Sequence, residues 1–464
     1  MRRHLLGFAM ILVFARPCLA RQTTATSELL IRLDVRPAPA PRPALRFRLL
    51  PDLTEMSPGN PIQAYMKCMM EQKKFYFDEE AIKNNTELLA MPLKELPAQE
   101  LPEDGRYVLT QIDTAARLDN PDWQTLTKLR ADGIELLLPE VQQIRGLARA
   151  LQVRFRAEIA QRRFDDAIRT AKTMFAMSRH LGEHPTLIGN LVGMAIASMT
   201  MYNLDEMLKQ PGCPNLYWAL TDLPTPLIGL DKGMDGERVM LQWFFRDLKE
   251  SSPMSKAQLG TFTAEADRVL EMGQEKFKKP GVREWLEGRT KDVALVGAAR
   301  QRLVERGLKE DQLRTFPAEQ VILLDEKREL EERCDDDRKV SNFPHWQAVG
   351  LAAQRKDKKP PAIFADALFP VSINVRRAQA RVDQKIAILR HVEALRLHAA
   401  GDDGKLPAKL SDIAVPLPVD PFSGKPFRYE LVADTAHLRG TPPTGMEKVP
   451  EYNMHYEVVI HDSK

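Results

Sequence analysis

His180-Leu181-Gly182-Glu183-His184 has the H-x-x-E-H spacing of inverted zinc peptidases. That chemistry needs one unbroken helix, so that both imidazoles reach a metal from one face while the glutamate activates a water. Gly182 and Pro185 stand where a helix ends, so the stretch reads as a helix C-terminus, with His180 beside the terminal carbonyls and His184 in a turn. Tyr65-Met66-Lys67-Cys68-Met69-Met70 offers soft sulfur donors for copper(I). Met66 and Met70, four apart on a predicted helix, read instead as core filler. Asp335-Asp336-Asp337 reads as a solvated helix end.

Ser423-Gly424-Lys425 looks like a fragment of a phosphate loop. Such a loop needs an earlier glycine at fixed spacing, a Ser or Thr after the lysine, and a helix starting there to aim N–H groups at the anion. Here Pro426 follows Lys425 and removes a donor, and Pro418, Pro421 and Pro426 around one glycine spell turns. Gly424 is expected at positive φ, with the Asp420 carboxylate accepting turn N–H groups. No serine occupies a G-x-S-x-G elbow, and the histidines are scattered. The residues therefore assign no catalytic, cofactor-binding or metal-ligating group and no cofactor.

The elements that would position these residues are mostly helical. Ile31, Leu33 and Val35 alternate with charges as in a half-buried strand, and Leu45 to Leu49 repeats the pattern across an extended proline-rich spacer over 37–43. From Pro61 to about Val340 the apolar residues recur at three- and four-residue spacing. Val141, Ile144, Leu147, Leu151, Phe155 and Ile159, then Phe164, Ile168, Ala171 and Phe175, predict two consecutive amphipathic helices, stopped by Gly182 and Pro185. Thr186 to about Lys209 is uncharged up to Leu204 and carries Gly189-x-x-x-Gly193. It is read as a buried helix whose glycines allow close approach, not as a membrane span. A charged, proline-ended stretch near 354–361 marks a boundary. Beyond it, Val375, Val382, Ile386, Leu389, Val392 and Leu395 line one face of a helix that reaches Ala400, and Tyr456 to Ile460 reads as strand.

The N-terminus has a basic start, an apolar run from Leu5 to Phe14 and a small residue at Ala20. Together these predict a secretory leader cleaved after Ala20, too short to span a bilayer. Arg2, Arg3 and Arg16 carry the whole formal charge of +3, so the mature chain is neutral and a poor general nucleic-acid binder. Its basic arm, Arg21 to Arg48, is balanced by acidic residues further on. Cys68, Cys213 and Cys334 remain after the leader, which excludes a disulfide-knit scaffold, allows one bridge at most and offers no CxxC zinc knuckle.

The sequence carries three resemblances to known families. Ala157 to Ile168, with Phe164-Asp165-Asp166-Ala167-Ile168 opening its second helix, resembles one helix pair of a tetratricopeptide-like repeat. His391 to Ala400, Gly404-Lys405-Leu406-Pro407 and Pro418 to Tyr429, with Pro58-Gly59-Asn60, Thr186-Leu187-Ile188 and Pro214 to Leu220, resemble a large group of exported planctomycete proteins. That group brings no activity and no catalytic residue with it. The order helix, Gly-x-x-Pro, then Asp420-Pro421-Phe422-x-Gly424-x-Pro426-Phe427-x-Tyr429 is similar to the globular part of major pseudopilins. The resemblance implies the module's fold but not its assembly role, because a long helical block stands here where a pseudopilin has its membrane segment.

The expected architecture is thus mainly α: a helical-hairpin, solenoid-like block followed by a long helix and a small β unit, a pilin-like α+β tail. The expected divisions are a leader over 1–20, a basic Pro-rich arm over 21–57, a helical domain over 58–340, a linker over 341–360 and the tail over 361–464. The corresponding function is an exported, non-catalytic scaffold that meets protein or cell-envelope components, not nucleic acid, with no transmembrane span in the mature chain. The alternative is an exported hydrolase with a cleft between helical block and tail.

Overall fold

The computed structural model describes residues 28–97, 103–273, 281–353, 363–364 and 370–461. The expected leader and its cleavage point lie outside the described residues, as does the charged stretch from 354 to the prolines at 360 and 361. The chain is mainly helical with one four-stranded mixed sheet.

The helical part opens with α1 (Pro61–Glu71), α2 (Lys73–Phe77), α3 (Glu79–Ala90), α4 (Glu103–Ala115) and α5 (Leu126–Asp132). The two helices expected over 139–181 are α6 (Pro139–Ala160) and α7 (Phe164–Gly182). Val141, Ile144, Leu147, Leu151, Phe155 and Ile159 are fully buried, as the spacing requires. The turn between them closes through Arg162 N–H to the Ile159 carbonyl and Arg163 N–H to the Glu158 carbonyl, both at 2.9 Å. Next comes α8 (Leu187–Leu208), started by Thr186, whose hydroxyl accepts from Gly189 N–H. A Cβ on Gly193 would lie 2.6 Å from the Ser178 carbonyl oxygen, so α8 approaches α7 as only glycine permits. By length and composition α8 could cross a membrane, yet 67% of its apolar window is buried inside the fold.

After α9 (Tyr217–Thr221) and α10 (Asp231–Phe244) come α11 (Lys256–Gly273), α12 (Val282–Thr290), α13 (Val293–Glu305), α14 (Glu310–Arg314), α15 (Ala318–Val340) and α16 (His345–Ala353). The last lies where a linker was expected. Its His345 ring meets Phe422 edge-on at 4.9 Å, and its Trp346 packs under Gly424. The long C-terminal helix α17 (Pro370–Gly401) follows, then β2 (Arg428–Val432), β3 (Thr435–Arg439) and β4 (Met454–Ile460).

The sheet order is β1-β4-β3-β2, and β1 (Leu29–Val35) pairs parallel with β4. The segment read as an N-terminal arm therefore supplies an edge strand to the C-terminal sheet. Alternation turns Leu33 and Val35 to the core, with Leu33 opposite Val458 and Val35 opposite Ile460. The second alternating stretch, Leu45 to Leu49, forms no strand. It bends after Pro43, with Arg46 N–H on the Pro43 carbonyl, and anchors through the fully buried Leu49. Alternation there reports which side chains are buried, since that stretch pairs with no strand.

Packing follows two cores. One joins β1, α1, α4, α6 to α9, α17 and the sheet, and the other is closed by residues from Phe244 to Phe364. The apolar face of α17 is covered from both sides: Ile413 and Phe427 of the tail belong to its cluster, and α8 and α9 pack on it as well.

The Pro421–Pro426 stretch is a turn. Gly424 has φ +66, its N–H bonds the Asp420 carbonyl at 2.7 Å, and the buried Asp420 carboxylate accepts from Phe422 N–H, Thr441 N–H and the Gln384 amide. A Cβ at Gly424 would lie 2.5 Å from the Trp346 ring, so two costs add there. Gly424→Val in the full chain should lower the melting temperature by several degrees, a loss of about 2 kcal/mol or more, while the exposed Lys425→Ala should shift it by less than about 1 °C. Equal effects in a thermal-denaturation comparison would contradict this account of the turn.

In the second core, burial pushes the Glu326 carboxyl from 4.5 up to about 7 against the attraction of Arg289, and its Oε2 has no hydrogen-bond partner. A folded-state value above the unfolded one gives a contribution that is whole below about pH 4.5 and lost as pH rises through about 7. Glu326→Gln should melt with wild type near pH 4.5 and above it at pH 8, by at most about 3 kcal/mol. A difference of equal size at both pH values would show that the carboxyl is not the cause.

Candidate functional site

The H-x-x-E-H residues do not converge. α7 ends at Gly182, and the three side chains take separate partners. His180 Nδ1 lies 3.1 Å from the Tyr65 hydroxyl, His184 Nδ1 lies 2.8 Å from Thr186 Oγ1, and Glu183 pairs with Lys232 at 2.6 Å. Burial lowers both imidazoles to about 4, with Arg179 adding to the effect at His180, so both are neutral near pH 7. Trp123 closes over them: its indole N–H donates to the His180 carbonyl at 2.9 Å, and its ring meets His184 edge-on at 4.5 Å.

The sulfurs of α1 are divided between two sides. Cys68 and Met69 are buried, whereas Met66 and Met70 line a surface groove of about 460 Å³ together with Ile62, Gln63, Trp123 and Gln124. Met70 is 82% exposed, so Met70 does not fill the core as its spacing predicts. A salt bridge from Lys67 to Glu71 at 3.8 Å borders the groove. Its floor is apolar and its methionines are adaptable, which suits an apolar side chain of a partner more than a metal.

The three consecutive aspartates also part company. Asp335 pairs with Arg238 at 2.6 Å, Asp336 with Lys339 at 3.1 Å, and Asp337 is buried with Arg376 at 3.4 Å. α15 continues past them to Val340, so the run is not a solvated helix end: Asp337 ties α15 to α17. Cys68, Cys213 and Cys334 are all free.

Two constellations carried no signal when the chain was read residue by residue. At the junction of α8, α17 and β4, buried Lys385 bonds the buried Asp205 carboxylate, while the Tyr456 hydroxyl donates to Asp205 at 3.2 Å. The ammonium stands over the rings of Tyr202 and Tyr456, at 5.1 and 4.6 Å. Burial pushes the Asp205 carboxyl up and the Lys385 ammonium down, each opposed by the other's charge. These groups fill the junction where a cleft between helical block and tail would lie.

The second constellation is on the outer face of the sheet. His437 on β3 stands opposite Glu457 on β4, and His455 lies two residues before Glu457 on the same face. His437 Nδ1 and His455 Nε2 are 3.0 Å apart, His455 Nδ1 is 3.1 Å from Glu28 Oε2, and Glu457 Oε2 accepts from Arg32 Nε at 2.8 Å. Glu28 and Arg32 come from the strand that the N-terminus adds to the sheet. Burial lowers the His455 value, and Arg439 lowers it further while Glu28 opposes. Tyr456 to Ile460 reads as strand in the sequence, but the pairing that brings His437, Glu28 and Arg32 beside His455 and Glu457 joins distant segments.

Comparison with family models, with curated proteins and with solved structures returns no match.

The exposure of each histidine orders its reactivity. In the native chain diethylpyrocarbonate should modify exposed His461 well before buried His180 and His184, read by peptide mass spectrometry at short exposure. Early modification of His184 would show that the cap formed by Trp123 and α8 is open in solution.

Proposed function

We propose that this protein is an exported, non-catalytic interaction scaffold that meets a protein component of the cell envelope through the groove on α1. The observation that carries the reading is the exposed Met70, with Trp123 and half-buried Met66 beside it in a concave surface. Methionine adapts to a partner's shape, and Trp123 is held rigid from behind by its bond to the His180 carbonyl. The helical hairpins are read as a solenoid-like support for this surface, and α17 with the sheet as a pilin-like module serving as a second support. The mature chain is read as spanning no membrane and binding no nucleic acid.

The filled junction around Lys385, Asp205 and Tyr456 favours this reading over a hydrolase whose cleft would lie there. The opposing pull of burial and charge on Lys385 and Asp205 is accounted for by cross-linking α8 to α17.

Affinity capture from native envelope with wild-type mature protein and with the Met66→Glu, Met70→Glu double variant tests the groove. Met70 is exposed and Met66 is half-buried against the core, so the variant's melting temperature is read beside its recovery of the partner, which should fall about tenfold or more. Equal recovery by wild type and variant would remove the groove from the function.

A further inference from the structure

We infer that the outer face of the sheet is a binding site for a divalent transition ion of the zinc class, with His437 Nδ1, His455 Nε2 and one oxygen of Glu457 as ligands. The three donor atoms lie within 4.8 Å of one another, with the two nitrogens 3.0 Å apart and Glu457 Oε1 3.9 Å from His437 Nδ1. Ligands of a tetrahedral ion at bonds of roughly 2.0–2.1 Å stand roughly 3.3 Å apart, so the set needs only small side-chain adjustments to close on an ion. Two imidazoles and a carboxylate form a mixed N/O set of the kind zinc, nickel and copper take, unlike the all-oxygen set that suits calcium or magnesium.

A second observation points the same way. The ring nitrogen of His455 that faces away from the other donors meets the Glu28 carboxylate at 3.1 Å. A carboxylate behind a ligating imidazole fixes its tautomer and raises its basicity, which is the usual support of a histidine that binds metal. With Nδ1–H on Glu28, His455 presents a lone pair at Nε2 toward His437. Without the ion, His437 Nδ1–H donates to that lone pair.

Glu457 is divided in the same manner: Arg32 holds Oε2, and Oε1 points to His437 at a distance too long for a hydrogen bond. The backbone beneath is rigid, since β3 and β4 pair from Thr435 to Arg439 and the opposite face is anchored by fully buried Tyr456 and Val458. Arg32 and Arg439 oppose a cation here. Arg32 is paired with Glu457 and Arg439 lies 3.8 Å from Glu430, while Glu28 and Glu457 supply the compensating charge. The His437 and Glu457 side chains keep 17% and 21% of their surface, so solvent can occupy the remaining coordination position.

The test is titration of the chelator-stripped full chain with zinc chloride by calorimetry, and with cobalt chloride by visible absorption. Wild type should take one equivalent in the micromolar range or tighter, with a cobalt d–d band. His437→Ala and His455→Ala should each weaken binding about 100-fold or more and abolish the band; His437→Gln replaces the first should it fail to fold. Glu28→Gln should weaken binding about 10- to 100-fold with the stoichiometry unchanged. His461→Ala, an exposed imidazole just past β4, should bind as wild type. Wild type that takes no equivalent, or binding that survives the His437→Ala, His455→Ala double variant, would overturn the assignment.

Discussion

A buried arginine on the long C-terminal helix holds three distant parts of the chain in one place. Arg396 is 1% exposed, and its guanidinium donates to the carbonyls of Arg36, Cys213 and Pro214 and to the Glu393 carboxylate. Its own carbonyl accepts from Ala38 N–H, and Glu393 accepts from Leu216 N–H. The segment leaving β1, the loop between α8 and α9, and α17 thus meet at one desolvated ion pair whose donors and acceptors are shared out among backbone groups. Removing one member of such a pair strands a buried charge, at a cost of about 3–5 kcal/mol.

The sheet depends on that junction. The chain just after β1, Arg36 to Ala38, is tied to Arg396, while β1 itself lies along β4 and delivers Glu28 and Arg32 to the outer face. On the inner face the Lys385, Asp205 and Tyr456 cluster ties the same sheet to α8 and α17. The interior polar groups are therefore cross-links between elements far apart in sequence.

How much of this could be read beforehand differs by element. Helices α6, α7 and α8 were legible because their apolar residues repeat at helical spacing and Gly182, Pro185 and Thr186 mark the ends. The Asp420 turn was legible because the bonds that close it, from Phe422 N–H and Gly424 N–H to Asp420, join neighbours in sequence. Leu45 to Leu49 misled, since alternation marks burial and cannot say whether another strand lies alongside. Residues 345–353, read as linker, are a helix because Trp346 and His345 find Gly424 and Phe422 to pack on. Met70 had the spacing of core filler and is exposed, because the packing partners stop short of it.

The amino-acid sequence by itself determined the helical class, the strand character of both ends, the turn at Gly424 and the breakdown of the zinc-peptidase spacing at Gly182. Each of these is decided within a few residues by backbone preference and periodicity. Only the tertiary structure decided that the N-terminal strand joins the C-terminal sheet, that α17 shares a core with α8, and that His437, His455, Glu457 and Glu28 stand together. Those contacts join residues up to 427 positions apart, and nothing in the local pattern of either partner records which distant surface it will bury against.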